Sequence, residues 1–162
     1  MEILTHARLK EFLEYDSDTG KFTWKNKRSN RTHSDLSAGC CTSRRNVLIG
    51  IFGKIYQAHR LAWFWSYGEW PSLCIDHIDG NPQNNKLSNL RNVSASINMQ
   101  NRKKPTSRNK HGLLGVVKRG NRWIAELRHQ GKTKYLGSFD TKEDAHAEYL
   151  NKKRELHLGC TI

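Results

Sequence analysis

Asp76 and His77 stand side by side at the end of a short apolar run, and Asn89 and Asn98 follow in the next stretch of chain. A carboxylate and a carboxamide are hard oxygen donors of the kind Mg²⁺ prefers. Because that ion keeps several waters and takes phosphate oxygens from a substrate, two protein ligands suffice. An imidazole titrates near neutrality and can accept a proton from an attacking water. It needs a carbonyl or carboxamide on its other ring nitrogen to fix the tautomer. Asp76 and Asn98 as ligands of Mg²⁺ (or Mn²⁺), His77 as base and Asn89 shaping the partner of His77 would together suit phosphodiester cleavage. A lone histidine at a strand end is ordinarily a structural residue, and an asparagine beside a turn is ordinarily only a turn residue. The combination carries the reading.

These side chains must be positioned by the elements around them. Residues 73–78 read as a short strand, Gly80, Asn81 and Pro82 reverse the chain, and residues 87–93 return beside it. Ser94 is a good N-cap for a helix from Ala95 to about Arg102. The unit is β-β-α, with Asp76 and His77 on one strand and Asn98 on the helix. Adjacent strand residues point to opposite faces, so a twist or bulge is expected where Asp76 and His77 meet one phosphate. Asn84 and Asn85 read as loop scaffolding.

This stretch, together with the approach AHRLAWFWSYGEWP, resembles the metal-binding β-β-α motif of HNH homing endonucleases. More narrowly, it is similar to the phage intron-encoded branch, in which Asn replaces the final His. The resemblance spans roughly residues 57–101. It implies His77 as general base, Asp76 and Asn98 as metal ligands, and Asn89 as the residue that orients the His77 loop.

The composition agrees with a polyanionic partner. Lys and Arg number 28 against 15 Asp and Glu, giving a net charge of +13. Between Arg102 and Lys134 eleven basic residues face one acid, Glu126. Aromatic and β-branched residues interrupt this run, which favours a folded nucleic-acid surface over a solvated linker. Only 36% of residues are hydrophobic, so two small modules are expected rather than one large core. No run is long enough to span a membrane, and the charged N-terminal stretch lacks a secretory core. Cys40, Cys41, Cys74 and Cys160 form no C-x-x-C pair and read as reduced thiols of a cytoplasmic protein (host cytoplasm if phage-encoded).

Taken in order, Thr5 caps a helix through about Glu14. Asp18-Thr19-Gly20 turns into a strand over 21–25, and residues 26–36 form a basic loop placed to touch phosphate. Residues 47–52 and 54–58 make a hairpin about Gly53. His59 to Tyr67 is helical, with Trp63, Phe64 and Trp65 as core and His59 in a structural or site-supporting role. RKKPTSRNK (102–110) is a linker carrying Arg102, Lys103 and Lys104 toward DNA. Three strands follow, over 113–119, 122–129 and 132–137. A helix capped by Thr141 then presents Ala145, Tyr149, the Lys152 stem and Leu156 to one sheet face. The other face carries Arg119, Arg122, Arg128 and Lys134.

Residues 112–158 resemble the DNA-binding domain of plant ethylene-response (APETALA-type) factors. The markers are Gly115-Val116, Ala125-Glu126-Leu127-Arg128, Leu136-Gly137-Ser138-Phe139 and the Thr-x-x-Asp-Ala helix start. The resemblance implies a sheet lying in the major groove, with Arg119, Arg128 and Arg122 toward DNA. Val117 stands where that pattern has Arg, and Trp123 aligns with a core aromatic, so phosphate contacts dominate over base reading.

The expectation is therefore an α+β endonuclease acting on double-stranded DNA, a monomer rather than a dimer. A β-β-α-metal HNH nuclease module (1–101) and a basic linker (102–111) precede a three-stranded antiparallel sheet packed on one helix (112–162). The rival readings are a non-catalytic DNA-binding regulator that retains a degenerate nuclease fold, and a zinc-stapled binding module.

Overall fold

The computed structural model of the chain describes residues 3–26, 36–42, 46–106, 109–157 and 159–161. The expected basic loop over 26–36 falls almost wholly outside them. The fold is mixed α+β, built from small antiparallel sheets, and divides into two compact units, Met1–Ser94 and Ala95–Ile162.

In the first unit, Thr5 caps α1 (His6–Phe12) by accepting from Arg8 N at 3.3 Å. The helix stops two residues earlier than its apolar spacing predicts. Leu13 leaves it in extended geometry and opens β1 (Leu13–Asp16), whose buried–exposed alternation places Leu13 and Tyr15 in the core. β1 pairs with β2 (Lys21–Trp24), Tyr15 opposite Phe22. Strand pairing overrode the helical periodicity that Leu9, Phe12 and Leu13 also satisfy. Two-residue strands β3 (Ser37–Ala38) and β4 (Cys40–Cys41) add to this sheet and to the next one. That next sheet is completed by the expected hairpin, β5 (Val47–Ile51) and β6 (Lys54–Gln57).

α2 (Ala58–Tyr67) ends on Gly68 in the left-handed conformation, with Gly68 N donating to Phe64 O at 2.9 Å. Phe64 is buried in the core with Leu61 and Ala62, while Trp63 and Trp65 pack against it only partly buried. β7 (Cys74–His77) then pairs with β8 (Leu90–Val93), reached through a 3₁₀ turn at Leu87–Asn89. Their register runs Cys74↔Val93, Ile75↔Asn92, Asp76↔Arg91 and His77↔Leu90. Of the twist or bulge expected at the strand end, no bulge interrupts this register.

The second unit begins with α3 (Ala95–Gln100). The sequence pattern groups this helix with the first module, but the end of the chain ties it to the second. Gly159 N donates to Gln100 Oε1 at 3.1 Å, and Thr161 Oγ1 donates to Asn101 Oδ1 at 2.5 Å. The segment read as a linker carries no helix or strand among its described residues, and Arg102 O accepts from Lys153 Nζ at 2.7 Å.

β9 (Val116–Arg119), β10 (Arg122–His129) and β11 (Lys132–Phe139) form an antiparallel sheet with β10 central. α4 (Lys142–Leu156) covers one face, burying Ala145 against Val116 and Ala125. Thr141 caps it twice over, Oγ1 accepting from Asp144 N at 3.1 Å and donating to Asp144 Oδ2 at 2.5 Å. The helix buries Lys153, not the expected Lys152, because the packed ridge runs 145, 149, 153 at strict four-residue steps. Burial lowers the Lys153 pKa, and its ammonium is satisfied by the Arg102 carbonyl.

Candidate active site

β7 brings Asp76 and His77 to adjacent positions, both buried, at 6% and 9% exposure. Their side chains leave opposite faces of the strand, and each face supplies a different partner. Across the sheet from Asp76 stands Arg91, whose Nε and Nη2 both donate to Asp76 Oδ2, at 2.9 and 2.7 Å. This is a charge-assisted cross-strand pair in a largely dehydrated setting. A carboxylate has about four acceptor sites, and the guanidinium addresses those of one oxygen.

On the other face, His77 Nε2 meets Asn85 Oδ1 at 3.1 Å. The Asn85 amide is itself oriented, since its Nδ2 donates to Gln83 O at 3.4 Å. An oxygen facing Nε2 requires the proton on Nε2, so His77 donates there and carries its lone pair on Nδ1. Asn85, 2% exposed, is therefore the tautomer-setting partner, where the sequence pattern had pointed to a group shaped by Asn89.

Asn89 acts one step further out. Its Nδ2 donates to Asp79 Oδ1 at 3.0 Å and to Asn84 O at 2.8 Å, while its Oδ1 accepts from Asp79 N at 3.0 Å. Asn84 Nδ2 closes the ring by donating to Asp79 Oδ2 at 2.7 Å. Burial would raise the Asp79 carboxyl, but the hydrogen bonds from Asn84, Asn81 and Asn89 outweigh it and hold the pKa below its ordinary value. The loop after His77 is thus knotted around an ionised Asp79.

His59, at the start of α2, lies edge-on to His77 with ring centroids 5.0 Å apart at 84°. Burial first, then the neighbouring His77 and Arg60 charges, pushes its pKa down to about 4. Its Nδ1 is buried with no hydrogen-bond partner among the described residues. His59 is a neutral wall against the His77 ring.

Asn98 lies on α3, part-exposed, in the second unit, so the first unit by itself brings together Asp76, His77 and Asn89. No cluster of three or more His, Cys, Asp or Glu suited to a metal occurs among the described residues, and the four cysteines are free thiols. A Mg²⁺-type site of one carboxylate and one carboxamide needs no such cluster, and buried Asp76 has the donor chemistry for it.

Beyond the basic loop over 26–36, the residues expected to meet DNA lie in the second unit. Arg102, Lys104, Arg119, Arg122, Arg128 and Lys134 are exposed and Lys103 is part-buried. On the open face of the sheet, Arg119 Nη2 donates to Glu126 Oε1 at 2.6 Å. Arg122 donates to Ser138 Oγ at 3.1 Å, to Ser138 O at 2.9 Å, and to Asp140. Lys134 is not on that face. Ala125 pairs with Gly137 but Glu126 with Tyr135, so Leu136 is an extra residue and the parity of β11 flips. Lys134 consequently sits opposite buried Leu127, on the α4 side, and Tyr135 takes its place on the open face, 64% exposed.

Residues 56–100, which contain α2, β7, β8 and α3, match the family model described as HNH endonuclease. The chain is similar to Protein 3.8 of Escherichia phage T7, 37% identical over 109 residues, which is 65% of this chain and 88% of that protein. It is also similar to DNA endonuclease I-HmuI of Bacillus phage SP01, 38% identical over 87 residues, 51% of this chain and 45% of that enzyme. A solved structure described as "DNA binding and cleavage by the HNH homing endonuclease I-HmuI" aligns with a TM-score of 0.48 and 23% identity, covering 98% of this chain and 95% of that one. The chain belongs to the HNH endonuclease family. Among the described residues, no helix is long and apolar enough to cross a membrane.

Proposed function

We propose that the protein is a phage-type homing endonuclease that hydrolyses phosphodiester bonds of double-stranded DNA, with His77 as general base. The observation that carries this reading is the buried His77 beside Asp76, held as the Nε2–H tautomer by Asn85. That tautomer directs a lone pair from Nδ1, which is what removal of a proton from water requires. Asn89 keeps the supporting loop closed through Asp79 and Asn84. Asp76, with Asn98 from α3, is the donor set for a divalent ion, Mg²⁺ or Mn²⁺. Such an ion, when bound, supplies electrostatic stabilisation of charge developing on the phosphate and on the leaving 3′ oxygen. Arg91 holds the Asp76 carboxylate in place through two hydrogen bonds to one of its oxygens.

The second unit would dock on the duplex through Arg102, Lys103, Lys104, Arg119, Arg122 and Arg128, with Lys134 on the other sheet face left out. Their contacts go mainly to phosphate, since Arg119 and Arg122 are already tied to acids of the same sheet face. The working form in this reading is a monomer in the host cytoplasm.

The test is cleavage of supercoiled plasmids carrying phage genomic fragments, by the full chain with Mg²⁺ or Mn²⁺. Nicked or linear product from the wild type, lost with EDTA and with His77→Ala while DNA retention persists, is the expected result. Retention without cleavage under every metal condition would leave a DNA-binding regulator instead.

A further inference from the structure

We infer that the N-terminal hairpin, which lies outside the family-matched residues 56–100, is the positioning element for the general base, with Tyr15 and Gly20 as its two working residues. The inference rests on the endonuclease reading above and names what holds its base. Tyr15, 4% exposed on β1, donates its hydroxyl to the backbone carbonyl of Asn85 at 2.7 Å. The side chain of the same Asn85 receives His77 Nε2 at 3.1 Å. A phenol 70 residues from Asn85 in sequence is therefore one residue removed from the imidazole.

The turn of the hairpin presses on the same peptide. Gly20 has φ +73°, and a Cβ placed on it would overlap Lys86 N and lie 2.5 Å from the carbonyl carbon of Asn85. Ser17 O accepts from Leu87 N at 3.2 Å, so the turn also bonds the chain just beyond. Asn85 is thus gripped from one side by the Tyr15 hydroxyl and pressed from the other by a backbone that admits no side chain. Neither contact reaches His77 directly. Both fix the backbone of Asn85, from which the carboxamide that sets the tautomer is hung.

Gly53 supplies an internal control. It has the same φ of +73°, in the β5–β6 turn, and a Cβ added there would meet nothing within 4 Å. Gly20→Ala and Gly53→Ala therefore carry equal backbone strain, and only the first displaces Asn85.

The experiment uses the full chain with two readouts. Single-turnover cleavage of the supercoiled plasmid pool gives the rate, and ¹⁵N NMR of imidazole-labelled protein gives the tautomer of neutral His77. At matched folded fraction, Gly20→Ala should slow cleavage about a hundredfold, the cost of a misplacement of about 1 Å. Tyr15→Phe should slow it about tenfold, as loss of a supporting hydrogen bond does. Both should leave DNA affinity unchanged and mix the Nδ1–H tautomer into the His77 signal, while Gly53→Ala does neither. A Gly20→Ala variant that matches Gly53→Ala in rate and keeps pure Nε2–H tautomer overturns the inference. If the wild type cleaves no DNA, the endonuclease reading fails, and the NMR comparison still decides whether the hairpin positions His77.

Discussion

The carboxamide oxygen of Asn85 accepts the Nε2 proton of His77 at 3.1 Å, across eight residues of chain. An imidazole with that proton committed can offer only its other nitrogen to water. Asn85→Ala should therefore lower the cleavage rate between about 10- and 100-fold, the range for loss of an orienting partner. His77→Ala should remove it altogether. DNA retention should survive in both variants. Single-turnover nicking beside a filter-binding assay separates the two effects, and equal loss of rate and binding would mean a folding defect.

Arg91 and Asp76 are neighbours across β7 and β8, with the carboxylate 6% exposed and the guanidinium 25%. Arg91→Ala leaves a buried carboxylate without its guanidinium, which destabilises by about 3 kcal/mol or somewhat more. Arg91→Lys should recover only part of this, because both bonds come from one planar guanidinium. Urea unfolding at neutral pH measures it, and a change below about 0.5 kcal/mol in Arg91→Ala would show that water replaces the guanidinium.

His59 makes the fold sensitive to acid. Its pKa falls from an ordinary 6.5 to about 4 in the folded chain, because burial and the nearby His77 and Arg60 disfavour the cation. Between these values the unfolded chain binds the extra proton and the folded chain does not. Stability from this group is thus complete above about pH 6.5 and is lost as pH falls toward 4, by on the order of 3 kcal/mol. His59→Leu should flatten the urea midpoint over that window relative to wild type. Parallel pH curves for the two proteins would contradict it.

Glu126 restrains Arg119 on the open sheet face at 2.6 Å. Arg119 is 67% exposed in its side chain, so the pair itself contributes under about 1 kcal/mol to stability. Glu126→Gln should leave the melting temperature nearly unchanged and release the guanidinium to phosphate. The expected signature is tighter binding to duplex DNA and a salt dependence steeper by about one released counterion. Fluorescence anisotropy between low and moderate salt reads both, and an unaltered slope would remove Arg119 from the DNA-facing set.

The elements were legible in the sequence wherever periodicity and capping agreed. Thr141 at the start of α4 and the turn about Gly53 both stand at the ends of the elements they announce. What the sequence hid were relations between elements. Arg91 became a partner of Asp76 only through the antiparallel register of β7 and β8, which aligning those two strands residue by residue would have revealed. Asn85 looked like any loop amide, because nothing in an Asn-Asn dipeptide tells which carboxamide turns inward. Lys134 was placed on the wrong face because a single extra residue, Leu136, inverts the alternation of β11 and leaves no mark in composition. The close of α1 at Phe12 depended on the pairing of Leu13 with Trp24, a contact between segments rather than a local preference.

The loop behind the imidazole is built from carboxamides, Asn84, Asn85 and Asn89, around a single acid that hydrogen bonds keep charged. Amides neither gain nor lose protons across the range in which proteins work. All but one of the groups that mount this ring therefore keep their hydrogen-bonding roles whatever the acidity, and the exception, Asp79, is the one whose neighbours hold its pKa down.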